Sequence, residues 1–105
     1  MDNSKIVSIL DKVIELSTLK KIEWEKNPKG ENSFKATLGE NSLHILKIST
    51  SLYFIIYTES GEEVARIFGA RYLGKLDNLY DLARRKALKI DEKLNELDSF
   101  LDKLK

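Results

Sequence analysis

Apolar residues along the chain recur with two periods. Between residues 3 and 20, Ile6, Ile9, Leu10, Val13 and Leu16 fall on one face at helical spacing, and Val7, Ile14 and Leu19 widen it. That pattern predicts an amphipathic helix buried on more than one side, with Asn3 or Ser4 as its N-cap. From residue 33 the period changes to two. Phe34, Ala36 and Leu38 alternate with Lys35 and Thr37, and Gly39-Glu40-Asn41-Ser42 then supplies turn chemistry. Residues 43–48, 52–58 and 64–68 follow as three more strands, separated by Ser49-Thr50-Ser51 and Glu59-Ser60-Gly61-Glu62. Connections this short predict an antiparallel meander. Residues 20–26, with Ile22 and Trp24 at alternate positions, are either a short edge strand or an extended connection, ended by the turn residues Asn27-Pro28-Lys29-Gly30.

One strand breaks the alternation. Residues 52–56 are apolar at every position and Tyr57 follows, as expected of a central strand covered on both faces. Within it, Tyr53, Ile55 and Tyr57 share a face. They form either a second apolar layer or, if the chain leaves that face open, a candidate partner surface. The lone Trp24 is expected to close one end of the core.

The closing stretch returns to a helical period. Leu76, Tyr80, Ala83, Ala87, Ile90, Leu94, Leu97, Leu101 and Leu104 step by four and then alternate three and four, a heptad seam without Pro or Gly. Gly74 is the expected N-cap, with Asp77 in the first turn. A helix of about 29 residues would be roughly 43 Å long, about twice an ordinary strand. Its first half therefore suits the sheet, and its distal half needs another neighbour. That neighbour is either the first helix or the same helix of a second chain. Ile90, Leu94, Leu97, Leu101 and Leu104 are then the candidate oligomer interface, and Phe100 broadens the stripe beyond a two-stranded seam.

Taken together, the elements predict one α+β domain over residues 1–105: a leading helix, an antiparallel meander sheet of three to five strands, and a long C-terminal helix. Composition narrows the function classes. Eighteen Lys and Arg against 17 Asp and Glu leave a net charge of +1, so no global field draws the chain to nucleic acid or anionic lipid. No apolar run approaches the roughly 20 residues that span a bilayer, and the first residues lack the basic start and apolar core of a secretion signal. A cytoplasmic location with no membrane partner is the expectation. Absence of cysteine removes disulfides, thiolate metal sites and a thiol nucleophile.

Catalytic chemistry has few residues to draw on. His44 is the only histidine and lies in a predicted strand, so a two-histidine metal site is impossible. Carboxylates show no calcium-loop spacing, and the glycines near residue 70 match no phosphate-binding loop. We expect no enzyme, no cofactor and no metal. Positive charge is unbalanced only locally. Between residues 66 and 93, eight Lys or Arg face four acids, and Arg85, Lys89 and Lys93 line up on one face of the expected helix. Arg84, Arg85, Lys86, Lys89 and Lys93 are thus candidate phosphate contacts, and nucleic acid is the alternative partner.

The segment Leu76-Asp77-Asn78-Leu79-Tyr80-Asp81-Leu82-Ala83-Arg84-Arg85-Lys86-Ala87-Leu88 resembles the closing helix of small uncharacterised bacterial and phage-associated proteins. These share a leading helix, a Trp soon after it and a short antiparallel sheet. The resemblance implies the same architecture and carries no function, cofactor or site residue. The expected function is that of a non-catalytic interaction protein, binding a protein partner or a second copy of itself.

Overall fold

The computed structural model describes residues 4–105 and has the α+β architecture that the periodicities predict. Helix α1 (Ser4–Thr18) leads into five strands: β1 (Glu25–Lys26), β2 (Ser33–Leu38), β3 (Asn41–Ile48), β4 (Ser51–Tyr57) and β5 (Glu63–Phe68). They form one antiparallel sheet in the order of the sequence. A single 3-10 turn (Ala70–Tyr72) then leads to α2 (Leu73–Ala87) and α3 (Ile90–Lys103). Asn3, the other expected cap of α1, lies outside the described residues.

Register decides which face each residue takes. Two-residue loops, Gly39-Glu40 and Ser49-Thr50, join β2 to β3 and β3 to β4, with Gly39 and Ser49 both at positive φ. With those turns fixed, Phe34, Ile45, Phe54 and Ile67 align across four strands, and Ala36, Leu43, Ile56 and Ala65 form the next row. Both rows face the helices. They pack against Ile6, Leu10 and Val13 of α1 and Leu76, Leu79 and Ala83 of α2 in one core. Full burial of side chains such as Phe54, Ile45, Ile67 and Leu79 contributes about 1.5–3 kcal/mol each.

Several details depart from the expected pattern. In α1 the buried residues are Ile6, Leu10, Val13 and Ser17, and Leu16 turns outward. Ser17 is inside because Trp24, 3% exposed, donates its indole N–H to the Ser17 hydroxyl at 2.9 Å. A buried indole N–H without a partner would be costly, so this bond fixes the last turn of α1 against the chain that follows. Only Glu25 and Lys26 of the expected edge strand pair with β2, while Ile22 and Trp24 bury from an extended connection. Gly74 is not the helix cap. The 3-10 turn, closed by Tyr72 N–H to the Gly69 carbonyl, starts α2 early, so Tyr72 holds the cap position and Gly74 lies inside the helix.

Two corrections bear on function. The long C-terminal helix is divided after Ala87. Lys89 adopts a left-handed conformation, φ 53°, and begins a second helix. A left-handed residue other than glycine is held at a cost of about 1–2 kcal/mol. Local contacts offset it: Arg85 reaches across the break to Asp91 at 3.1 Å, and Asp91 and Glu92 sit in the first turn of α3, where the helix dipole favours carboxylates. The second correction concerns β4, which is not covered by elements on both faces. Both α1 and α2 lie on the same side, and the other face of the sheet is open.

Candidate functional site

Two surfaces of the folded chain are apolar and uncovered. The first is the open face of the sheet. Its rows follow from the same register: Ser33, Leu46, Tyr53 and Phe68; Lys35, His44, Ile55 and Arg66; Thr37, Ser42, Tyr57 and Glu63. The expected trio Tyr53, Ile55 and Tyr57 is therefore brought together on the side that no helix covers. Ile55, at 5% exposure, is screened by its lateral neighbours on this face and is not part of the main core. Tyr53 lies against Phe68 with ring centroids 5.6 Å apart, and His44 meets Tyr57 edge-on at 4.6 Å. Phe68 and, beyond Leu46 on the same strand, Ile48 stay more than half exposed.

Phe68, Leu46 and Ile48 escaped sequence reasoning as members of this face. Period two places Tyr53, Ile55 and Tyr57 together within one strand, but joining them to residues of β3 and β5 requires the register. The two-residue loops were the available signal.

Charges on the open face are nearly balanced. Lys35 approaches Glu25 at 3.7 Å, and Arg66 holds Glu63 through two hydrogen bonds. His44 shares a 3.4 Å hydrogen bond with Ser42. Burial first, and then the nearby Lys35 ammonium, push the His44 pKa below its ordinary 6.5. The folded state thus holds a proton on His44 less readily than the unfolded chain does. Stability from this group is fully present above about pH 6.5 and declines as pH falls from there toward the folded-state value. Because burial is the larger cause, Lys35→Gln is expected to raise the His44 pKa partway, not fully, toward 6.5. Proton NMR titration of the single histidine reads this directly. An ordinary pKa in the wild type would contradict the packing described for this face.

The second surface is α3. From Asp91 to the last residue every side chain is exposed, and α3 contributes nothing to the core. Leu94, Leu97, Phe100, Leu101 and Leu104 are each at least half exposed, and Ile90 is partly covered at the junction with α2. Of the two predicted neighbours of the distal seam, the first helix does not fill the role: α3 adjoins α2 and does not fold back along α1. The molecule is correspondingly elongated, 60 × 29 × 26 Å.

The basic stripe takes a different form from the expected one. The break at Lys89 places Arg85 on α2 and Lys93 on α3, so the three cations do not share one helix face. Arg85 is engaged by Asp81 and Asp91, each at 3.1 Å, and Lys86 lies 3.4 Å from Glu23. Among the described residues, Arg84, Lys89 and Lys93 have no carboxylate within 4 Å. The cleft beside this cluster, lined by Ser17, Thr18 and Leu82 with Lys20 and Glu92, encloses about 140 Å³. Small-molecule sites usually run from about 300 Å³ upward. Among the described residues, no group of three His, Asp or Glu is placed to hold a metal ion, and no helix is long and apolar enough to cross a membrane.

No protein-family model, curated protein or solved structure matches this chain.

Proposed function

We propose that this chain is a small interaction module that self-associates through the apolar side of α3. One observation carries the reading: a 14-residue helix and its C-cap residue Leu104 stand clear of the core with five large apolar side chains at 50–67% exposure. An isolated helix of about 12–15 residues is marginal in water, so this one needs a neighbour to persist. A contiguous apolar stripe of this size on a soluble surface marks an interaction site. Leu94, Leu97 and Leu101 keep heptad spacing within the helix and Leu104 continues it at the C-cap, which aligns them for one continuous contact.

Amide hydrogen exchange at two concentrations tests the reading. Amides of α3 are expected to be protected in concentrated solution and to lose protection on dilution, while those of β3 and β4 stay protected at both. Protection of α3 that is independent of concentration would remove self-association as its source.

The nucleic-acid reading has less support, because Arg85 and Lys86 already hold carboxylates and net charge is close to zero. Salt-sensitive binding of DNA or RNA, lost in Arg84→Glu/Lys89→Glu/Lys93→Glu, would establish it instead.

A further inference from the structure

We infer that the seat for α3 is the open sheet face of a second copy, so that two chains exchange their C-terminal helices and each covers the other's Leu46, Tyr53 and Phe68. This rests on the self-association reading and specifies its geometry. A single chain carries two unpartnered apolar surfaces, a ridge on α3 and a broad sheet face, and reciprocal docking covers both with one kind of partner.

Coverage separates this arrangement from pairing of one α3 with another. Helix against helix buries the apolar stripe of α3 but leaves Leu46, Tyr53, Phe68 and Ile48 of both open sheet faces uncovered, the last two more than half exposed. Exchange makes two helix-on-sheet contacts where helix pairing makes one, which moves the assembly further into the range of about 1,200–2,000 Å² that stable specific interfaces bury.

Shape and charge agree with it. Phe100 stands beside the Leu94, Leu97, Leu101 and Leu104 seam, which makes the stripe wider than two-stranded pairing uses and suited to a flat aromatic face. Helix α3 carries five carboxylates, Asp91, Glu92, Glu96, Asp98 and Asp102, against Lys93 and Lys103. Pairing α3 with itself opposes two acidic helices. The sheet face, with Lys35 and Arg66 offset by Glu25 and Glu63, presents no such repulsion. The left-handed residue at Lys89 directs α3 away from its own core, giving the elongated outline that an exchanged arm requires.

The chain has no cysteine, which makes thiol cross-linking unambiguous. Ser51→Cys lies at the margin of the open face and Asp98→Cys beside the helix stripe, and both positions are exposed. An equimolar mixture treated with a short bismaleimide, then digested and weighed, is expected to give mainly a link from position 51 of one chain to position 98 of the other. Adding Phe68→Glu to the Ser51→Cys chain should reduce that product at least tenfold, with the fold checked by circular dichroism. A dominant link between two positions 98 overturns the exchange while leaving self-association through α3 intact. A chain that is dimeric by mass but forms neither link also overturns it. A wild type that stays monomeric removes both the exchange and the reading beneath it.

Discussion

Phe54→Ala is expected to destabilise the fold by about 3–5 kcal/mol, against the 5–15 kcal/mol that holds a typical domain together. Phe54 is fully buried in the row formed with Phe34, Ile45 and Ile67, under both helices. Truncation there leaves a cavity in the densest part of the core. The adjacent Tyr53→Ala points to the open face and removes only a partly exposed ring, so its cost should fall below about 1.5 kcal/mol in dilute monomer. Chemical denaturation of the two variants separates the faces. Equal losses would mean that the open face is part of a second core within the chain.

The other large effect concerns association. Replacing Leu97 and Leu101 with glutamate, as Leu97→Glu/Leu101→Glu, is expected to weaken self-association by roughly a thousandfold or more. Each leucine contributes about 1.5–3 kcal/mol when buried, and the dimer contains four of them. The same substitutions should leave the unfolding midpoint of the monomer nearly unchanged, because neither side chain touches the core. Sedimentation velocity with thermal unfolding reads both quantities. A large drop in monomer stability would place α3 inside the fold after all.

Sequence patterns made the order of elements legible because each has its own period and punctuation. Residues 33–68 alternate between glycine-bearing or Ser/Thr-rich turns, and that is enough to define a meander. What was not legible came from choices the pattern leaves open. Apolar residues at every position of β4 fit coverage on both faces and also fit an aromatic face left open, since period two does not reveal what lies above a strand. The break at Lys89 left no mark, because lysine has no positional signature for left-handed backbone and the heptad spacing runs through it uninterrupted. Ser17 as the partner of Trp24 was hidden by its type, although its position, four residues after Val13, continues the buried stripe of α1.

The candidate surfaces divide in the same way. Leu94, Leu97, Leu101 and Leu104 were identifiable from length alone as a seam beyond the reach of the sheet, but not which neighbour takes it: of the first helix and a second chain, the first helix does not reach it. Tyr53, Ile55 and Tyr57 were identifiable as one face. Their company, His44, Leu46 and Phe68, depends on cross-strand register, which the two-residue loops determine only once they are known to be two-residue loops. The basic residues were visible as a cluster, and Asp81, four residues before Arg85, was legible as its helical partner. The contact of Arg85 with Asp91 depends on the break, and that of Lys86 with Glu23 on where the chain before β1 lies.

Absolute molar mass by light scattering across a concentration series tests the central claim most directly. The account predicts a mass approaching twice 12.1 kDa as concentration rises, with dissociation on dilution. A mass that stays at 12.1 kDa at every concentration would contradict it, and the exposed leucines of α3 would then have to meet something other than a second copy of this chain.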